Sequence, residues 1–396
     1  MSEMFRRAAI LGLLAAVGPF AIDMYLPAMP DIAAALDTDI AGTQGTLIAF
    51  FLCFGLAQLV YGPWADAAGR KLPLTCGLGL FLAASVACAL APDIRTLTLA
   101  RAVQGLGAAS VMVIPRAIIR DWTTGTEATR LMAMVMLVIS VSPMLAPLAG
   151  SLIILAADWR AIFWVMALAA IASLTVTTAA LPETLAPAHR RPVAVARLMR
   201  DAGGLLRHRG FMILTFVGAF GMASFFVFIA SASFVYTGQF GLTPTQFSLA
   251  FAVNAAGFFG GSQLAANAGD RFGMGRVVRG ATGGFAGAGL LLLALCLAGL
   301  GTLPVVIVLL AAGNFCLGFV IPSVMVLALD DQGEVAGLAS SLGGTLQMVT
   351  GGLMVVAAGP FFDGTVTPMV AVIAICGVVS FVLARMVPLQ AAALPT

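Results

Sequence analysis

Two formal charges, Asp23 and Arg101, lie inside long apolar stretches of the sequence. An ionisable side chain in such surroundings is expensive, and its presence is a functional hypothesis by default. Arginine keeps its proton, whereas a partly buried carboxyl can hold or release one. The pair therefore suits proton coupling, with Asp23 as carrier. The bland alternative is that Asp23 caps a helix ahead of Pro27 and that Arg101 snorkels to lipid head groups. Other chemistry lacks its residues. The only histidines, His189 and His208, share one polar loop, and Cys53, Cys76, Cys88, Cys296, Cys316 and Cys376 all fall in apolar runs. Neither a metal set nor a disulfide is expected from them. No GxxxxGK(S/T) loop is present to hold nucleotide phosphates. No enzyme activity and no cofactor are expected, and energy must come from an ion gradient.

The elements that position these charges follow from composition. Of 396 residues, 61% are hydrophobic and 9% charged, with a mean hydropathy of +1.06. Soluble domains are about 45–50% apolar and about 25% charged, so a soluble enzyme is excluded. At about 20 residues per membrane helix, the apolar residues fill about twelve spans. The apolar runs predict spans at 5–26, 42–61, 73–90, 97–119, 131–155 and 161–181, then at 211–236, 247–268, 277–300, 303–329, 336–358 and 367–387. Span one then places Asp23 near its outer end. Span four places Arg101 about 6 Å below the outer surface at 1.5 Å per residue.

Orientation follows from the basic residues, which cytoplasmic loops retain. With both termini cytoplasmic, 17 of the 20 Lys and Arg face inward, Arg95 and Arg160 face outward, and Arg101 lies within a span. A net charge of +3, scattered along the chain, does not suit nucleic acid. The first residues also resemble a signal peptide, but cleavage would break this charge parity, so they count as span one. The domains expected are 1–181 and 211–396, two six-helix bundles. Between them, 182–210 is a basic linker carrying Arg190, Arg191, Arg197, Arg200, Arg207 and Arg209. It is expected to lie on the inner membrane surface near anionic lipid.

The halves repeat. GPWADAAGRK at 62–71 is matched by NAGDRFGMGR at 267–276; Asp66 and Asp270 are 204 residues apart, and each is followed three residues later by Gly69 or Gly273. This is the parallel-repeat plan of many secondary transporters. The first string resembles the loop signature of the major facilitator superfamily, with Gly62, Asp66, Gly69, Arg70 and Lys71 in place. Ala67 departs from it, whereas the later copy keeps the arginine as Arg271. DMYLPAMP, RAVQGLGAA, PRAIIRD, DWRAIFWV and VAGLASSLGG resemble the drug:proton antiporter branch and, within it, the bicyclomycin-resistance subfamily. In span five, SPMLAPLAGSLI is similar to the antiporter signature through Pro143, Pro147 and Gly150, although Ala146 and Ala149 replace glycines.

The resemblance implies an all-α, twelve-helix protein of the bacterial inner membrane. It implies export of antibiotics in exchange for protons, by rocking two halves about a central cavity. It further implies that Arg101 takes part in proton coupling and that Asp66 meets the N-terminus of span eleven when the inner side is closed. The helix dipole there favours a carboxylate. Asp330, Asp331 and Glu334 are candidates to face Arg70 and Lys71 in the same gate, with a solvated acidic turn as the equal alternative. Where related antiporters carry a second acid in span one, this chain has Ala15, which places the coupling on Asp23. Depth selects Gln104, Asn254, Asn314 and Gln347, with Tyr25, Phe225 and Phe228 as aromatic walls, for a site suited to an amphiphilic or neutral molecule. Each of the four polar residues is equally open to serving as a helix-to-helix hydrogen bond. The expected partners are a small drug, protons and lipid, with the protein acting as a monomer. The alternative is a nutrient or metabolite carrier of the same fold, working as a symporter.

Overall fold

The structure, a computed structural model, describes residues 3–123, 125–190, 195–330 and 332–387. Arg191 and Asp331 lie outside the described residues, as does the side chain of Glu334. Among the described residues the chain is helical without a strand. The first half contains α1 (Glu3–Asp23), α2 (Met29–Ala35), α3 (Ile40–Ala68), α4 (Lys71–Ala89), α5 (Ile94–Trp122), α6 (Gly125–Ala156) and α7 (Arg160–Ala179). A short helix, α8 (Val195–Arg207), leads to α9 (Arg209–Phe234), α10 (Pro244–Phe272), α11 (Met274–Leu297), α12 (Leu303–Asp330), α13 (Ala336–Ala358) and α14 (Val366–Arg385). Among the described residues, twelve segments are long and apolar enough to cross a membrane, the first of them running through α1 and α2 from Met4 to Ala35. Their outward faces carry residues such as Val60, Leu99 and Leu297, exposed by 60%, 70% and 72%, as helices in lipid require once their backbone bonds are satisfied internally.

The helix ends follow local chemistry. Asp39 accepts from the Gly42 N–H at 2.7 Å and Asp93 from the Thr96 N–H at 2.8 Å, so α3 and α5 begin on side-chain caps two or three residues before their apolar runs. Thr243 and Gln246 form a reciprocal capping box at the start of α10. α3 and α10, 29 residues each, stop at Gly69 and Gly273, whose φ values of 94° and 84° are unfavourable for any residue with a Cβ.

Span one departs from the hydropathy reading. It extends to Ala35 and breaks after Asp23. Pro27 lacks an N–H, and its ring would collide with the carbonyl four residues back, that of Asp23. The chain resumes as a 3₁₀ turn at Leu26–Ala28 and then as α2. Asp23 therefore lies at an interior break, twelve residues before the segment ends. Arg101 is seven residues into α5, about 10 Å from its start at 1.5 Å per residue.

The chain divides into two compact units, residues 1–198 and 199–396. In the first, α3 packs on α5, α4 on α5 and α7, and α1 on α6; in the second, α10 packs on α12, α11 on α12 and α14, and α9 on α13. The same pairings recur in order, so the sequence repeat is a repeat of packing. Small residues let the backbones approach: a Cβ on Gly105 would strike the Phe50 carbonyl across α3–α5, and one on Gly261 the Phe315 carbonyl across α10–α12.

Candidate functional site

Arg101 is fully buried. Its Nη1 donates to the Ala21 carbonyl at 3.1 Å and to Gln104 Oε1 at 2.5 Å, and Gln104 Nε2 donates onward to Ser85 Oγ at 2.8 Å. The guanidinium lies over the rings of Phe50 at 4.5 Å, Tyr25 at 4.7 Å and Phe163 at 6.0 Å. Ala21 is in the last turn of α1, where unpaired carbonyls and the negative end of the helix dipole favour a cation. Arginine is thus held by a helix end and three aromatic faces. Among the described residues, its Nε and Nη2 have no hydrogen-bond partner.

Asp23 is 3% exposed, and no ion pair joins it to Arg101 among the described residues. Similar depth along the span is therefore not accompanied by direct pairing, for a geometric reason. Similar depth does not fix azimuth. Arg101 meets α1 through the backbone carbonyl of Ala21, which points along the helix axis rather than in the direction of a side chain. Span five touches the same break, since a Cβ on Gly150 would collide with the Met24 carbonyl. Pro147 and Pro143 lie one and two turns earlier within α6. The antiporter-like string therefore braces the break in span one.

A second cluster gathers at the turn between α3 and α4. The side chain of Arg70, 8% exposed, binds Asp121 through Nε at 2.8 Å and Nη2 at 3.2 Å, and Asp66 through Nη1 at 2.5 Å. Glu183, beyond α7, accepts from the backbone N–H groups of Arg70 at 2.8 Å and Lys71 at 3.2 Å, which caps α4 from outside the helix. Lys71 Nζ donates to the Thr178 carbonyl at 2.8 Å. Burial opposes ionisation of Glu183, but the N–H groups of Arg70, Leu185 and Lys71 and the charge of Arg190 outweigh it and hold the carboxyl below its ordinary range. Gly62 lies within α3, one residue before Pro63. Asp121 and Glu183 were not among the expected site residues. The available signals were their places in PRAIIRD and at the end of span six in LPETL.

The second copy of the motif keeps the turn and loses the network. Asp270 is exposed and forms no ion pair among the described residues, and Arg271 lies over Phe272 at 5.2 Å. Counting from the aspartates, Met274 stands where the first copy has Arg70, and it packs on Gly269.

The expected substrate residues are largely spent on packing. Tyr25 is buried and bonds Thr46 at 2.8 Å, and Gln104 joins α5 to α4. Asn254 accepts from Asn314 Nδ2 at 3.3 Å and donates to the Ala250 carbonyl, joining α10 to α12. Tyr25, Gln104 and Asn254 thus serve as interhelical joints. Phe228, buried, and Asn314 line a cavity of about 20 Å³ inside the second unit with Ser224 and Phe285. That holds about one water, whereas drug sites need about 300–1,000 Å³. Phe225, stacked on Phe258 at 6.3 Å, and Gln347 are half-buried. Asp330 is exposed at the end of α12.

Comparison with known proteins agrees with this architecture. The model of the Major Facilitator Superfamily matches residues 11–355. The chain is 33% identical over 381 residues to the uncharacterized MFS-type transporter YdgK of Bacillus subtilis strain 168, covering 95% of this chain and 94% of that one. It is 28% identical over 375 residues to the bicyclomycin resistance protein homolog of Haemophilus influenzae, covering 93% of each. It is 31% identical over 268 residues to multidrug resistance protein D of Escherichia coli K12, covering 66% of each. Among solved structures, a D-xylose-proton symporter shares the fold with a TM-score of 0.75 at 14% identity, covering 98% of this chain and 97% of that one. A family model matching most of the chain, a 33% identical relative spanning nearly all of it and twelve membrane-length helices in two repeated units lead to one assignment: the chain belongs to the major facilitator superfamily and is a multi-pass membrane transporter.

Proposed function

We propose that the protein exports small neutral or amphiphilic drugs, antibiotics among them, from bacterial cells across the inner membrane in exchange for protons. Asp23 is the proton carrier and both termini are cytoplasmic. The observation that carries the coupling is the pair of buried ionisable groups at the break in span one: Asp23 ends α1, and Arg101 grips the turn before it with two donors to spare. Relatives named for bicyclomycin and multidrug resistance support the class of cargo. In this reading a deprotonated Asp23 turns toward the free Nε and Nη2 of Arg101, and protonation releases it. The α1 break, braced at Gly150, is where that change becomes movement by alternating access. Phe225 and Gln347, which remain partly open, contact substrate. The Asp66–Arg70–Asp121 cluster with Gly69 and Lys71 is the inner gate of the first unit, and Asp270 and Arg271 mark its weaker counterpart.

The test is drug uptake into inverted vesicles under an imposed pH gradient. Asp23→Asn should still bind drug and exchange it down a gradient while losing pH-driven accumulation. Undiminished accumulation would remove Asp23 from the mechanism. A susceptibility panel of phenicols, bicyclomycin, fluoroquinolones and lipophilic cations, with and without expression, tests the cargo.

A further inference from the structure

The basic linker contains a helix whose two faces are sharply divided. At 100° per residue, Leu198, Met199, Ala202, Leu205 and Leu206 of α8 fall within an arc of about 120°. Arg197, Arg200 and Arg207 project from the opposite side. Only part of the apolar arc is covered by protein. Leu205 is 3% exposed, whereas Met199 and Leu206, on the other edge, are 69% and 47% exposed. Arg200 and Arg207 are exposed as well.

The position of α8 narrows what can cover that edge. It ends at Arg207, and the membrane-length helix α9 begins at Arg209, with only His208 between them. His208 has an extended backbone, and its Nδ1 accepts from the Phe211 N–H at 3.0 Å, so it ends one helix and caps the next. The C-terminal end of α8 is thereby held within one residue of a membrane span. A helix there with a bare apolar edge and an arginine face matches a bilayer interface, where acyl chains take the apolar side and anionic head groups take the arginines.

We propose that α8 is a docking element for an anionic lipid surface, entering the interface through Met199 and Leu206 and holding phospholipid phosphates with Arg200 and Arg207. This is independent of the cargo and of the coupling residues, because none of them lies on α8. The docking is electrostatic in part, so it weakens with salt. It needs the apolar edge as well as the charges.

Hydrogen exchange on the full-length protein in nanodiscs tests this without a transport assay. Amides of α8 should exchange more slowly in discs containing phosphatidylglycerol than in phosphatidylcholine discs. The difference should vanish in 1 M salt, where the Debye length is about 3 Å. Each of Arg200→Gln and Arg207→Gln should lower the protection roughly fivefold, and Leu206→Asp should remove it, while exchange in α9 to α14 stays unchanged and reports an intact fold. Equal exchange of α8 in the two lipids would overturn the proposal. So would anionic-lipid protection that survives Arg200→Gln with Arg207→Gln, or protection that arises only on adding a soluble acidic protein.

Discussion

At the scale of single residues, the break in span one is the sensitive place. Gly150 has no room for a side chain, because the Met24 carbonyl occupies the position a Cβ would take. Gly79, in α4, has nothing within 4 Å of that position. The two glycines therefore respond oppositely to the same substitution. Gly150→Ala should destabilise by about 1–3 kcal/mol through overpacking, whereas Gly79→Ala should stabilise by about 0.5–1 kcal/mol through reduced chain entropy. Thermal unfolding of the detergent-solubilised protein checks both, and equal shifts would refute the close approach of α6 to the break. Arg101→Lys keeps a charge but loses the planar surface that lies over Phe50 and Tyr25. It should lower pH-driven transport strongly, and activity equal to wild type would show that the cage is incidental.

At the scale of elements, the α3–α4 turn is held by groups of unequal weight. The Asp121 side chain is 16% exposed and meets Arg70 through two nitrogens, whereas that of Asp66 is 58% exposed. A solvated ion pair contributes about 0–1 kcal/mol, while removing one partner of a buried pair costs about 3–5 kcal/mol. Asp121→Asn should therefore lower stability more than Asp66→Asn, and the reverse order would mean that Asp66 is the anchor. Glu183 adds a pH signature. Its folded pKa is depressed, so its contribution is complete above the unfolded value of about 4.3 and is lost as pH falls through the lower folded value. Glu183→Gln should cost about 1 kcal/mol at neutral pH, as a lost cap does. The gap to wild type should stay flat from about pH 8 to 6 and close below about pH 4. A gap that widened on acidification would contradict the lowered pKa.

At the scale of the whole molecule, the four pairings named above recur between the two units, yet their chemistry has diverged. The first carries an ionic network at its motif turn, and the second has Met274 packed on Gly269 there. Proposed gating at this turn accordingly belongs mainly to the first unit. The proposed orientation is tested by labelling single cysteines. A label near Arg197 should be reached only from the cytoplasm and one near Thr38 only from outside; labelling of the Arg197 site in intact cells would sink the orientation.

The number and order of the spans, the two motif turns and the family were legible in the sequence because each is local. Apolar runs must be helical in lipid, and the glycines at 69 and 273 stand where a helix must end with positive φ. The break after Asp23 was equally local, written in Pro27, but hydropathy ended the span there and did not show that it continues through α2 to Ala35. What tertiary structure decided is contact between residues far apart in the chain. Arg70 meets Asp121 across 51 positions and the backbone of Arg70 meets Glu183 across 113. Hydropathy gives depth along a helix and nothing about the direction in which a side chain points. For that reason it brought Asp23 and Arg101 to similar levels without showing that Arg101 would turn to the Ala21 carbonyl. It also found Gln104 and Asn254 at mid-span without showing that neighbouring helices, rather than a cavity, would take up their hydrogen bonds.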